Sequence, residues 1–413
     1  MNLLFITVAD LMGQQFNGHL LHESLKTLGH QSDMAVAWKQ SDKPGVHLIY
    51  RGGTRLLDRA MVRLEQYFSL YALLPVSTAK IYCSSYYRKA DIVHLQLIQS
   101  ASFFSLFNVP IMSRRRPVVW TLHDPWPMAG HCVHPLECDR WLTGCGECPN
   151  LTGLFPIKKD TTAFQWQLKK WVMANSKLTL IVASEWMHDR VRRSPILSHL
   201  PCHVIPFGVD TNIFKPLEKS AIRRSMGIPE NAYVLSCRAT KNYDYKGTAY
   251  VERALGTLNL EKPVYLLTMN DRGALEKLRD KHHLLEFGWV EDQKRIAQIL
   301  AASDLFLMPS IAESFGMMAV ESMACGTPVV AFDGTALPDI IDAPRCGIVV
   351  PYKDHIAFAA AIEALLEQPD VRKKLSINGV RRVESEYTLD LYLNRHLELY
   401  ERLLSRNGNR PHR

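Results

Sequence analysis

Strand-length apolar runs alternate with helix-length stretches from the first residues almost to the last, and that rhythm restricts the chain to few folds. In the first half the runs are Leu3 to Val8, Asp33 to Trp38, Ile92 to Leu95, Val118 to Leu122, Leu178 to Ala183 and His203 to Pro206. In the second half they are Tyr233 to Cys237, Val264 to Thr268, Leu285 to Phe287, Asp304 to Met308, Pro328 to Phe332 and Gly347 to Val350. Such runs are apolar on both faces, as strands of a parallel sheet covered by helices must be. Between them, Phe16 to Leu28 has helical periodicity and stops at Gly29, and Met61 to Leu73 reads as a helix. The Pro- and Gly-containing stretch 206–216 interrupts the rhythm and reads as a linker. The expected fold is therefore α/β, with two Rossmann-like domains facing a cleft, at 1–205 and 217–385. A helix at 386–404 is expected to pack back on the first domain, and 405–413 to be a disordered tail. A length of 413 residues suits two domains.

Bulk properties exclude several classes. Hydrophobic content of 47% and charged content of 22% are those of an ordinary globular chain. No apolar run reaches the roughly 20 residues that a spanning helix needs. The N-terminus lacks a basic lead-in and meets Asp10 early, so it reads as a first core strand, and a cytoplasmic location is expected. The net charge is +8, and basic clusters at 114–116, 158–159, 169–170 and 190–193 all fall in the first half. They are either a peripheral contact with an anionic inner membrane face or ordinary solvated surface. Nothing resembles a nucleic-acid-binding module. No Gly-x-Gly-x-x-Gly follows the first strand, which argues against a dinucleotide oxidoreductase.

The stretch from Glu313 to Glu321 carries the densest chemistry. It follows the strand ending at Met308 and opens a helix closed by Gly326-Thr327-Pro328. If the intervening residues are mostly helical, the two carboxylates stand roughly 12 Å apart, the reach of a nucleotide diphosphate-sugar from ribose to sugar ring. The amides of Phe315, Gly316, Met317 and Met318 lie between them and suit a diphosphate. The competing reading is an amphipathic helix with two solvated glutamates. Arg238 ends a strand and Lys246-Gly247 follows eight residues later, so both cations fall on the ligand edge of a sheet. Together they suit the charge that develops on a diphosphate leaving group. His123-Asp124 ends another strand, where the imidazole can hydrogen-bond a sugar hydroxyl and Asp124 can orient it or meet an acceptor.

Of nine cysteines, Cys83, Cys202, Cys237, Cys325 and Cys346 are scattered and read as small core residues. Cys132, Cys138, Cys145 and Cys148 cluster beside His131 and His134. Structural zinc, redox pairing and plain thiols all fit that spacing, with zinc favoured by the Cys-x-x-Cys turn containing Gly146.

Taken together, Thr121-Leu122-His123-Asp124, the stretch from Val204 to Asp210 with Phe214-Lys215-Pro216, Arg238 with Lys246-Gly247, Glu313 with Glu321, and Gly326 to Ala331 resemble glycosyltransferase family 4. Trp120 to Pro127 with the cysteine cluster is most similar to bacterial exopolysaccharide enzymes of the colanic-acid type. The resemblance implies a GT-B fold and retaining transfer from a nucleotide diphosphate-sugar, without a catalytic metal. It places Arg238 and Lys246 on the donor phosphates, Glu313 and the amides after it on sugar and diphosphate, Glu321 on the ribose, and His123 beside the sugar. The implied acceptor is a glycan, such as a lipid-linked polysaccharide precursor. Gly13 is the best match to the Gly-Gly pair that the family carries in its first loop, and Phe207 stands where the family has Asn. A nucleotide-sugar epimerase or sugar phosphorylase on the same fold is the alternative, and a non-enzymatic binding protein is a further class.

Overall fold

The structure, a computed structural model, describes residues 1–49, 54–99, 103–242 and 244–408. The chain divides into two compact units, one formed by Met1–Ile205 with Leu393–Arg413 and the other by Pro206–Tyr392.

The first unit is built on a seven-stranded parallel sheet. Its strands are β1 (Asn2–Ala9), β2 (Gln31–Trp38), β3 (Val46–Leu48), β4 (Ile92–Leu95), β5 (Val118–Leu122), β6 (Leu178–Val182) and β7 (Cys202–Val204). Their spatial order is β3-β2-β1-β4-β5-β6-β7. The second unit has six parallel strands: β8 (Tyr233–Ala239), β9 (Val264–Asn270), β10 (His283–Gly288), β11 (Leu305–Met308), β12 (Val329–Phe332) and β13 (Gly347–Val350). They lie in the order β10-β9-β8-β11-β12-β13. The central strands are buried along their whole length, as β4, β5, β6, β11 and β12 are, which is why the sequence shows continuous apolar runs there. In each sheet the order reverses at one place, between β1 and β4 and between β8 and β11. Loops leaving the carboxyl ends of such strand pairs diverge and leave a crevice for ligands.

Three elements differ from expectation. The first helix is His19–Thr27 rather than Phe16 to Leu28, because Phe16 and Asn17 bond back to the Gly13 carbonyl and Gly18 takes φ 92. The next runs from Thr54 to Phe68, not Met61 to Leu73. Ser69 and Ala72 adopt left-handed backbone, and the Glu65 carboxylate accepts the amides of Leu73 and Leu74 at 2.6 and 2.7 Å. The last helix is Leu389–Gly408, so Ser405 to Gly408 continue it instead of forming a tail. Residues 409–413 lie outside the described ones.

The stretch 206–216 is pinned rather than loose. The Val209 amide donates to the Tyr387 carbonyl at 2.9 Å and the Leu389 amide to the Val209 carbonyl at 3.0 Å. A Cβ on Gly208 would stand 2.6 Å from the Thr388 carbonyl oxygen, so only glycine admits this pairing.

Candidate functional site

In the second unit, strand order brings distant sequence together. β11 pairs with β8, Leu305 beside Leu235 and Leu307 beside Cys237, so the loops after both strands leave the same edge of the sheet. They are locked to each other. The Ile311 amide donates to the Tyr245 carbonyl at 3.0 Å. Gly247, at φ 74, lies against Pro309 so closely that a Cβ would stand 1.9 Å from its carbonyl oxygen. The Tyr352 hydroxyl holds the Ile311 carbonyl at 2.8 Å, and the Ala336 amide holds that of Glu313 at 3.1 Å.

This framework sets the charged groups. Lys246 Nζ lies 2.8 Å from Glu313 Oε2. Arg238 donates through Nε and Nη2 to Asn270 Oδ1 at 3.3 and 3.0 Å, and its guanidinium lies 5.8 Å from the Trp289 ring centre. Burial pulls the Arg238 pKa down, opposed by the charges of Glu313, Asp271 and Glu321. The helix Met317–Ala324 starts at Gly316, whose φ of 101 favours glycine and where an added Cβ would meet Leu337 Cδ2 at 2.5 Å. The residues from Glu313 to Gly316 are thus not helical, and the helix is eight residues long. Its first-turn amides, those of Met317 and Met318 among them, have no acceptor within the helix. Phe315 contributes backbone only, since its ring is buried against Phe207 and Tyr387.

The reading of two solvated glutamates is overturned. Glu321 is 3% exposed, and burial pushes its pKa up to about 7 against the pull of Arg238. The Glu313 carboxylate is 15% exposed and engaged with Lys246. A buried carboxylate under the charge of a nearby cation is costly and is the kind of group found where ligands bind.

In the first unit, His123 follows β5. Its Nε2 lies 2.8 Å from Gln96 Oε1, and its ring centre is 5.8 Å from that of Phe16. Burial pushes its pKa down. Gly13, at φ 69, turns the loop after β1 and is covered by the Phe16 ring, which an added Cβ would meet at 2.6 Å. The Asn17 amide secures that loop by donating to the carbonyls of Ala9, Asp10 and Met12 at 2.8, 3.0 and 2.8 Å. Asp124 does not orient His123. Its Oδ2 accepts from Gln99 Nε2 at 2.7 Å and its Oδ1 from the Trp126 amide at 2.9 Å, and burial raises its pKa to about 6.

Gln96, Asn17 and Asn270 are thus part of the two edges but were not singled out from sequence. An Asn seven residues after Asp10 carried the only signal, as a side chain suited to closing a turn.

Cys132, Cys138, Cys145 and Cys148 line one cavity together with His131, Arg140 and Trp141, and all four thiols are free. Among the described residues no group of three or more His, Cys, Asp or Glu side chains is placed to hold a metal ion. The sulfurs have other engagements: Cys145 Sγ accepts the Gly130 amide at 3.2 Å, and Cys148 Sγ donates to the Asn150 carbonyl at 3.3 Å. Burial raises the Cys132 pKa to about 12, so it is a thiol at neutral pH. What rigidifies this lobe is Lys169, whose Nζ donates to the carbonyls of Trp126, Ala129 and Gly130 at 2.8, 2.7 and 3.2 Å.

Residues 19–213 match the family described as Glycosyltransferase Family 4, and residues 219–382 the one described as Glycosyl transferases group 1. The chain is 28% identical over 211 residues to the MMP alpha-(1->4)-mannosyltransferase of Mycolicibacterium hassiacum, covering 49% of each. It therefore spans about half the length of that relative. Among solved structures it superimposes on a sucrose-phosphate synthase from Thermosynechococcus elongatus with a TM-score of 0.70 and 18% identity, over 98% of this chain and 99% of that one. It also superimposes on Anabaena HepE in complex with UDP and glucose, with a TM-score of 0.66 and 17% identity, over 97% and 99% of the two chains. With two successive family matches spanning nearly all of it, and two Rossmann-like sheets of the GT-B kind, the chain belongs to glycosyltransferase family 4.

Proposed function

We propose that this protein is a retaining glycosyltransferase that moves a sugar from a nucleotide diphosphate-sugar to a glycan acceptor. The observation that carries the reading is the convergence of Arg238, Lys246, Glu313 and the Gly316-capped helix at the carboxyl edge of β8 and β11. Anchored UDP in Anabaena HepE, a protein of the same fold, supports a nucleotide-sugar as donor. In this reading the diphosphate lies on the amides from Phe315 to Met318 and receives Arg238 and Lys246. Glu321 accepts from the ribose hydroxyls and Glu313 from the sugar. Lys246 then exchanges part of its pairing with Glu313 for the phosphate.

Retention and metal independence follow from the family resemblance. The acceptor oxygen attacks the anomeric carbon on the face from which the diphosphate leaves, the glycosidic bond to phosphate breaks, and a phosphate oxygen takes the acceptor proton. Arg238, Lys246 and the amides stabilise the charge that builds on the leaving group.

The acceptor reading is a lipid-linked glycan precursor, with the enzyme peripheral on a membrane. The helix Thr54–Phe68 supports it by exposing Leu56, Leu57, Leu64, Tyr67 and Phe68 alongside Arg59 and Arg63. An apolar face with basic flanks suits the boundary of an anionic bilayer. No helix among the described residues is long and apolar enough to cross a membrane.

A panel of nucleotide-sugars tests the donor. A true donor raises the melting temperature, a ligand at 100 times its Kd adding about 2.7 kcal/mol. Lys246→Ala and Glu313→Ala are expected to abolish transfer while leaving the fold intact. Full activity in both variants sinks the site, and epimerised donor formed without acceptor supports the epimerase alternative.

A further inference from the structure

The basic clusters of the first half are scattered in sequence, but the sheet order gathers most of them. The crossovers from β3 to β4, from β4 to β5 and from β5 to β6 all step the same way along the order β3-β2-β1-β4-β5-β6-β7. Parallel crossovers are right-handed, so the helices within them cover one face of the sheet, while the β1-to-β2 helix, His19–Thr27, covers the other. The shared face therefore carries Thr54–Phe68, Asn108–Arg115 and Thr162–Ala174. Contacts join these three helices. Ser69, just past the first, accepts the Lys158 and Lys159 amides on its Oγ at 3.1 and 2.9 Å and the Thr161 hydroxyl on its carbonyl at 2.5 Å. The Phe107 ring, at the start of the second, lies 6.2 Å from that of Trp171 on the third.

What this face exposes is apolar and cationic. Besides the residues of Thr54–Phe68 already named, Phe107, Ile111, Phe164 and Trp171 are exposed, Phe164 and Trp171 by more than half. Phe164 and Trp171 stand two helical turns apart and so share one side of their helix. Single apolar residues are normal on a surface, but rings in contact across neighbouring helices make a patch. Arg114, Arg115, Lys158, Lys159 and Lys170 are exposed beside them. The acids are elsewhere. Between Glu65 and Glu137 the only ones are Asp91 and Asp124, and none lies between Asp160 and Glu185. Asp58 and Glu65, on the first helix, are buried and accept backbone amides. Asp160 is engaged by the Thr162 hydroxyl and the Cys148 amide. The cluster 190–193 lies on the next helix, Glu185–Arg193, which also exposes Glu185 and Asp189 and so does not extend the cationic patch.

We propose that the exposed sides of Asn108–Arg115 and Thr162–Ala174 form a second membrane anchor, continuous with Thr54–Phe68, and that the two halves together bind an anionic lipid surface. The proposal rests on the peripheral-membrane reading above and adds where the rest of the footprint lies. Charge complementarity selects the partner. Exposed cations, with no exposed acid on the three helices, fit a surface of fixed negative charge. An indole beside a phenyl ring fits the headgroup boundary of that surface. Each half alone is a weak anchor, and stable binding takes both, as two weak membrane signals do.

Sedimentation of the full chain with phosphatidylcholine vesicles, with and without phosphatidylglycerol, tests the footprint. The native chain is expected to bind the anionic vesicles and to leave them at high salt. Phe164→Ser with Trp171→Ser should weaken binding at least about 10-fold, since both rings lose burial in lipid. Arg114→Gln with Arg115→Gln and Lys170→Gln should weaken it about 100-fold, about 5-fold for each charge near an anionic surface. This charge variant alters only exposed side chains and is the one to read if the aromatic variant does not fold. Full binding by either folded variant overturns the second anchor; if Leu64→Glu with Tyr67→Glu still releases the protein, the peripheral reading survives without it. A native chain that ignores anionic vesicles overturns both. A native dimer that the aromatic variant converts to monomer, read by analytical ultracentrifugation, would overturn the proposal by assigning the face to a second copy of the chain.

Discussion

Glu321→Gln should make the protein more stable and less able to bind its donor, and the size of the gain can be worked from the burial of one carboxyl group. The Glu321 pKa is pushed from 4.5 to about 7 in the folded chain. This is the reverse of the usual carboxylate case. Between these values the folded state holds a proton that the unfolded state has released, so stability falls as pH rises from about 4.5 to about 7 and stays low above it. At about 1.36 kcal/mol for each pH unit, the cost at pH 8 is about 3 kcal/mol. Glutamine keeps the shape and carries no charge, so it recovers that cost above pH 7 and nothing near pH 4.5. For a unit of this size, about 3 kcal/mol corresponds to a rise in Tm of about 6–12 °C. The measurement is the Tm difference between variant and native protein from pH 4.5 to 8, paired with the Kd for the nucleotide-sugar. The difference should grow with pH while binding weakens. A difference independent of pH would refute the argument, since it would mean that Glu321 pays no charge penalty in the folded state.

Other outcomes follow from single contacts. Gly247→Ala forces a Cβ into the Pro309 carbonyl and should separate the loops after β8 and β11, abolishing transfer measurably before it abolishes folding, as read by kcat/KM beside circular dichroism. Lys169→Met removes the buried ammonium that three carbonyls share and should cost about 2–5 kcal/mol in urea denaturation. Leu64→Glu with Tyr67→Glu should release the protein from anionic vesicles in sedimentation assays, without changing the far-UV spectrum.

How far the sequence spoke depended on the kind of order involved. Runs such as Val118 to Leu122, apolar but for Thr121, announced buried parallel strands, because burial on both faces leaves few polar positions. Arg238, Lys246 and Glu313 could be read as strand-edge charges, because ligand edges in such sheets are fixed by chain direction. Their pairing could not: Lys246 and Glu313 are 67 residues apart, and only the adjacency of β8 and β11 joins them. The end of the helix Thr54–Phe68 was misjudged for a local reason, since left-handed Ser69 and Ala72 carry no glycine to announce the turn. The cysteine cluster was legible only in its grouping. Spacing brings four thiols to one cavity, but sulfur positions depend on backbone bonds such as Gly130 to Cys145, which spacing does not encode.

The charge arrangement in the second unit also bears on the proposed donor site. Arg238 and Lys246, proposed to receive a diphosphate, would repel each other at one sheet edge without counter-charge. Glu313 neutralises Lys246 directly at 2.8 Å, and Glu321 and Asp271 act on Arg238 at longer range. Glu321 bears a heavy burial penalty, and its pKa of about 7 leaves it near half-protonated at neutral pH. A bound diphosphate brings its own negative charge to the cations, so it competes with Glu313 for Lys246 and weakens the pull of Arg238 on the Glu321 carboxylate. The Glu321 pKa should then rise on donor binding and the protein should take up protons. Calorimetric titration of donor near pH 7 in buffers of different ionisation enthalpy measures that uptake directly. Proton release instead would show that the ribose hydroxyls stabilise the ionised carboxylate by more than the diphosphate opposes it.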